Sequence, residues 1–150
     1  MVSRFQTARC GELVYYERDV IVLPEGLIGL PSLRRWLLLE MDGGVPMRWL
    51  QSLDRGDFGF PVMEPGFFAA DYQIEAGAAE RSGLAPTGGP PAVLIVTTVH
   101  PGGARITGNL LAPLLVDTAT RRGLQVALDR PDLSIRQELD YLKFGLAVRQ

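Results

Sequence analysis

The stretch from Asn109 to Leu128 constrains the fold more than any other part of the chain. It opens as an apolar run that contains Pro113, passes through a polar turn from Asp117 to Gly123, and ends with Leu124, Val126 and Leu128 alternating with Gln125 and Ala127. Alternation with a period of two is the mark of a half-buried strand, so the whole reads as a β-hairpin. Pro113 has no N–H to give a ladder, which places its strand at a sheet edge or kinks it there. In the turn, Thr118 and Thr120 offer hydroxyls to the backbone, and Gly123 is expected to take positive φ. Nothing in the stretch is chemically reactive.

A hairpin cannot stand alone, and the chain supplies further short extended runs. Val20 to Leu23 is a buried strand stopped by Pro24. Trp36 to Met41, Arg48 to Leu53, and Phe58 to Met63 follow, the last weakened by Gly59 and Pro61. Ala92 to Val99 is the most β-branched run, and Arg105 to Thr107 resumes after a Pro-Gly-Gly break. Phe5 to Tyr16 is strand-like, with Gly11 marking a bulge or a turn between two strands. Between them, Glu25 to Pro31 carries Leu27, Ile28 and Leu30 in a glycine-rich loop that is expected to fold inward and plug one end of the sheet. Eight or nine short strands with turn signals between them predict an all-β, mainly antiparallel, small barrel-like single domain over 1–150, with a β core over about 5–131. A short helix is expected near 76–82, closed by Gly83. Ser134 to Gln137 has capping-box spacing, and Ile135, Leu139, Leu142 and Leu146 share one helical face. That predicts an amphipathic C-terminal helix over about 134–148, either docked on the sheet or free for a partner.

Charge is sorted along the chain in a way its net value of −2 conceals. Residues 40–80 carry eight acids against Arg48 and Arg55, while both flanks are mildly basic. A nucleic-acid reader needs a basic footprint, so direct RNA or DNA binding is not expected, and a basic protein partner is. No apolar stretch has signal-peptide or membrane-spanning length, and the single cysteine, Cys10, excludes an internal disulfide. A cytoplasmic protein is expected, with no membrane partner and monomeric when free.

The inventory of reactive groups is thin. His100 is the one histidine and sits in a Pro-Gly-Gly loop, and neither a Gly-x-Ser-x-Gly elbow nor a phosphate-binding glycine motif occurs. With one His and one Cys, a zinc site would need carboxylates for the rest. Asp54 and Asp57 could act as a carboxylate pair or hold a hard cation, but loop acids beside Arg55 and Gly56 are more often turn residues. Cys10 is expected to be a small core hydrophobe. The expectation is therefore no enzyme, no cofactor and no metal. Recognition remains: Trp49, Phe67, Phe68 and Tyr72 lie in the acidic middle, as aromatic residues of protein interfaces do. Trp49 is expected to fill the barrel. Phe67 and Phe68 are adjacent in a loop, so one of the two is expected to be an exposed anchor.

Four motifs taken together carry a resemblance: Val20 to Leu30, Trp49-Leu-Gln-Ser52, the Glu64 to Tyr72 loop, and Asn109-Leu-Leu-Ala-Pro113 followed by the Asp117 to Val126 hairpin. In this order and spacing the chain resembles the FliW family of flagellar assembly factors over residues 5 to 131. The resemblance implies a cytoplasmic, non-enzymatic, barrel-like protein that binds newly made flagellin and, in its place, the RNA-binding translational repressor CsrA. Bound CsrA would release flagellin mRNA. Ser134 to Gln150 departs from the Pro-, His- and Arg-rich ending of that family. The expected contact surface comprises Asp54, Asp57, Glu64, Phe67, Phe68, Asp71 and Tyr72. The rival reading is a small-ligand-binding barrel or an unrecognised hydrolase, which would need a deep apolar pocket with convergent polar groups.

Overall fold

The computed structural model describes residues 1–74, 78, 83, 84 and 89–148. In chain order the strands are β1 (Val2–Thr7), β2 (Gly11–Tyr16), β3 (Ile21–Val22), β4 (Arg35–Glu40), β5 (Arg48–Ser52), β6 (Gly59–Met63), β7 (Ala92–Val99), β8 (Ile106–Gly108), β9 (Leu114–Asp117), β10 (Arg122–Gln125) and β11 (Gln137–Glu138). One helix, α1 (Tyr141–Val148), ends the described chain. Strands β3 to β7 pair antiparallel in succession. β9 and β10 form the expected hairpin, β10 lies parallel to β3 through Arg122 and Val22, and β9 returns to pair with β7 from Ala92 to Leu94. Among the described residues these seven strands close into a ring, from which β8 and β11 extend along the second half of β7.

Closure removes one of the two alternatives expected for Pro113, the sheet edge. β9 is paired on both sides, and it begins at Leu114, so the proline stands just before the ladder rather than at an edge. Opposite β7 the chain leaves β8, steps away through Asn109 to Pro113 and re-enters as β9. The Asn109 side chain accepts the Leu111 N–H at 3.1 Å, and Leu111 and Pro113 carbonyls accept from Leu128 and Val126.

The period-two pattern decides which side chains enter the ring. Trp36 and Leu38 of β4, Leu50 of β5, Phe60 and Val62 of β6, Leu94 of β7, and Leu114 and Val116 of β9 point inward and form the main core with Ile21 and Leu23. Trp36 is completely buried and lies 6.2 Å from Phe60 between ring centroids. Each such side chain contributes roughly 1.5–3 kcal/mol by leaving water. One end of the ring is plugged, as the loop predicts, by Leu27 and Leu30, with Leu33 beside them and its carbonyl accepting from Trp36 Nε1 at 2.9 Å. Ile28 is the exception and points outward, 62% exposed.

The outward-facing residues are covered by three smaller cores. The β1–β2 hairpin lays Phe5, Leu13 and Tyr15 on Leu37 and Leu39 of β4. Segment 65–72 and the C-terminal residues cover Met63 and Ile95, while Leu84 covers Leu115 and Val126. Trp49, expected inside, faces out from β5: its Nε1 donates to Gln51 Oε1 at 3.0 Å and the Arg9 guanidinium lies 4.2 Å above its ring. Leu50 takes the inward place because side chains alternate along the strand. Gly59 makes room for that indole, since a Cβ there would strike it.

One turn and the lone cysteine differ from expectation. In the β9–β10 turn the positive φ belongs to Arg121, at 60°, not to Gly123. Gly123 is required by closeness, because a Cβ would meet Leu115 O and the Leu23 side chain. At Gly11 the expected turn does occur with φ 66°, but Cys10 beside it is exposed rather than core. The C-terminal helix also differs. Ser134 Oγ accepts the Arg136 N–H at 2.9 Å in a tight turn, Gln137–Glu138 pair with β8, and the helix starts only after Asp140, whose carboxylate caps the Lys143 N–H at 3.0 Å. The helix expected near 76–82 lies outside the described residues, Ala78 apart.

Candidate functional site

The expected contact residues do not form one patch. β5 and β6 put their connecting turn, with Asp54 and Asp57, at the plugged end of the ring, whereas Glu64 follows β6 at the opposite end. Seven residues of extended chain separate them by on the order of 20 Å. Asp54 Oδ2 accepts the backbone N–H groups of Arg34 at 2.6 Å and Arg35 at 3.0 Å, tying this turn to the start of β4. Asp57 is engaged by both forks of Arg55, at 2.8 and 3.2 Å. Those contacts describe turn residues, with no convergence of the two carboxylates. Asp71 is exposed.

Segment 64–72 proves to be a joint. Phe68 is buried against Gly108 and Ile95, where a Cβ on Gly108 would collide with both side chains. Phe67 is half-buried, edge-on to Phe144 of α1 with centroids 6.5 Å apart and the Lys143 ammonium 5.4 Å from its ring. Its carbonyl accepts the Asp140 N–H at 2.7 Å, and Lys143 Nζ donates to Gly66 O at 2.9 Å. Tyr72 donates its hydroxyl to Leu110 O at 2.8 Å, and burial, partly opposed by Arg130, pushes its pKa up to about 12. So the expected exposed aromatic anchor is absent: one ring turns into the core under β7 and the other is covered by the helix. Both can be accommodated because the segment coils as a short 3-10 turn over Pro65–Phe67, which rotates successive side chains away from strict alternation.

Residues that sequence reasoning passed over meet at the open end of the ring. Each inward-facing series continues two residues past its last core member: Leu50 to Arg48, Val62 to Glu64, Leu94 to Ala92, Val116 to Thr118. With Arg121 they line a cleft of about 430 Å³ whose floor is Ile21, Leu38, Leu94 and Val116. Arg48 approaches Glu64 at 3.5 Å, and Arg121 donates to Asp19 O at 2.7 Å. The Arg121 Nε is buried without a hydrogen-bond partner among the described residues. Its positive φ costs a residue with a Cβ about 1–2 kcal/mol. Parity with the buried series could have pointed to Arg48 and Thr118; nothing local marks Arg121.

Other polar groups serve the fold. His100 Nε2 lies 2.9 Å from Thr107 Oγ1 across the β7–β8 turn. Arg105 at 2.6 Å and the Tyr141 hydroxyl at 2.8 Å hold the exposed Glu138 carboxyl below its usual range. Among the described residues no group of three or more His, Cys, Asp or Glu could hold a metal ion, and no helix is long and apolar enough to cross a membrane.

A closed β ring with a plug, an outer hairpin and a strapped C-terminal helix places the chain with small ring-closed all-β proteins. A solved structure described as the flagellar assembly factor FliW shares this fold, with a TM-score of 0.78 over 91% of this chain and 96% of that one at 23% identity. The family model "FliW protein" matches residues 4–139, and the chain belongs to that family, the flagellar assembly factors FliW. Among its relatives, flagellar assembly factor FliW 2 of Desulfotalea psychrophila is 31% identical over 90% of this chain and 89% of that protein. The flagellar assembly factor FliW of Syntrophotalea carbinolica is 33% identical over 87% of this chain and 94% of that protein.

Proposed function

We propose that this flagellar assembly factor acts in the cytoplasm as a chaperone for flagellin and as an antagonist of the translational repressor CsrA, exchanging one partner for the other. The observation that carries the reading is the family match, which runs unbroken from the first hairpin to β11. Flagellin would occupy the protein while it accumulates. Its export would free the same molecule to capture CsrA, and flagellin mRNA would then be translated. The surface left for such contacts includes Asp54, Asp57, Glu64 and Asp71, all exposed, and the outward residues Val2, Val14 and Tyr16 of the first hairpin. A basic partner suits the acidic stretch 40–80 through long-range attraction.

Calorimetric titration of each partner, alone and against a protein saturated with the other, tests the exchange. Linkage requires flagellin and CsrA to weaken each other by one common factor. Simultaneous binding at undiminished affinity, or no binding of either, ends the proposal. Surface variants for the same titrations are Asp54→Asn, Asp57→Asn, Glu64→Gln and Asp71→Asn. Truncating Phe67, Phe68 or Tyr72 would confound binding with loss of the joint they form.

A further inference from the structure

The geometry points to a second binding site, which shares only Glu64 with the surface assigned to partners: the open end of the ring takes a small organic anion, a carboxylate carried on a short unbranched apolar chain. Three features converge there. The floor is apolar, made by Ile21, Leu38, Leu94 and Val116, and the cleft of about 430 Å³ falls in the range of small-molecule sites. Its rim carries two guanidinium groups, Arg48 and Arg121, against one carboxylate, Glu64, so the entrance has a net positive charge. Arg121, on the same rim, carries a buried Nε–H that nothing among the described residues accepts. Buried donors are nearly always matched, and one left unmatched beside a cleft marks where an acceptor would sit.

The arrangement selects among ligands. A guanidinium can engage a carboxylate through two parallel N–H donors, and in Arg121 one terminal nitrogen donates to Asp19 O while the Nε has no acceptor among the described residues. Arg48 is held by Glu64 only at 3.5 Å, and the Glu64 side chain is 66% exposed, so a ligand carboxylate can replace it by a side-chain rotation into water. The Thr118 hydroxyl adds a donor at the same rim. An apolar tail then covers the floor. A phosphate ion would satisfy the arginines but leave the floor wet, and an alcohol would cover the floor but bring one neutral oxygen in place of a charged pair of acceptors.

The test uses the full chain with hexanoate and octanoate as probes, followed by methyl-resonance shifts of Ile21, Leu38, Leu94 and Val116 and by thermal shift. Saturable perturbation of those methyls at low-millimolar carboxylate is expected, with octanoate tighter than hexanoate. Arg121→Gln and Arg48→Gln should each weaken octanoate at least tenfold while the apo spectra stay those of a folded protein. Octanol binding as tightly as octanoate, phosphate matching it at equal ionic strength, or unmoved floor methyls would each overturn the inference. If Arg121→Gln does not fold, Arg48→Gln and Thr118→Val carry the test, and octanoate affinity unchanged in both refutes it.

Discussion

Gln51 offers the sharpest trial of how this ring is held together. It is buried on the outer face of β5, and its Nε2 donates to Phe58 O at 2.9 Å, Ser52 O at 3.0 Å and, more distantly, Gly56 O at 3.3 Å. Its Oε1 accepts Trp49 Nε1 at 3.0 Å. One side chain thus fastens the β5–β6 turn to its own strand and orients the indole beneath Arg9. Replacing it with leucine keeps the volume and removes all of these bonds. Phe58 O and Gly56 O retain the backbone donors Ser52 and Ala8, so neither carbonyl is orphaned, whereas the half-buried Trp49 N–H is. Three or four net hydrogen bonds at about 0.5–1.5 kcal/mol each, with some return from the apolar replacement, give a loss of about 2–4 kcal/mol. For a chain of this size that corresponds to a fall of about 5–12 °C in Tm. Urea unfolding followed by tryptophan fluorescence measures it directly, with an unchanged slope showing that the same surface is exposed. A loss below about 0.5 kcal/mol would mean that the turn holds itself and that the reasoning from these bonds is wrong.

Further outcomes follow from single sites. Gly123→Ala should cost about 1–3 kcal/mol because Leu115 O and Leu23 leave no room for the methyl, while Gly11→Ala, in open space, should cost only about 1 kcal/mol for its positive φ, both read by denaturant midpoint. Tyr72 keeps its proton in the folded state up to about 12 while the unfolded phenol ionises near 10. Stability at this residue is therefore fully present below pH 10 and lost as pH rises toward 12; Tyr72→Phe should flatten that alkaline limb in pH-dependent unfolding. Glu138 has a lowered folded pKa, so its contribution is present above the ordinary glutamate range and fades as pH falls through the folded value; Glu138→Gln should remove that acid-side dependence. Asp140→Ala should cost about 1 kcal/mol of helix capping and increase hydrogen exchange in α1 without altering the ring.

The strands were legible where the residue pattern alone decides them. Ala92 to Val99 forms β7 end to end, and the Leu27 and Leu30 plug could be foreseen from apolar residues in a loop too rich in glycine to be a strand. Pattern fails where two signals compete. Ser134 and Gln137 imitate a capping box, yet Leu139 is drawn into the core beneath the joint and the helix must wait for Asp140, itself a good cap three residues before the N–H it bonds. Phe67 and Phe68 could not be placed without knowing that the helix returns to cover one of them. The open end of the ring was invisible for a different reason: Arg48, Glu64, Thr118 and Arg121 come from separate strands and a turn, and only the closure of β9 on β7 brings them to one rim.

Ring closure also governs when this protein can become itself. The parallel contact between Val22 and Arg122 joins the beginning of the chain to its last quarter. A nascent chain emerging from the ribosome can hold its early meander of strands, but it has no closed core until the final hairpin has been synthesised. Contacts so distant in sequence make folding slow relative to helical proteins of equal length. A product truncated before that hairpin would therefore lack every property described for the ring, and newly made copies could enter service only once the hairpin has emerged.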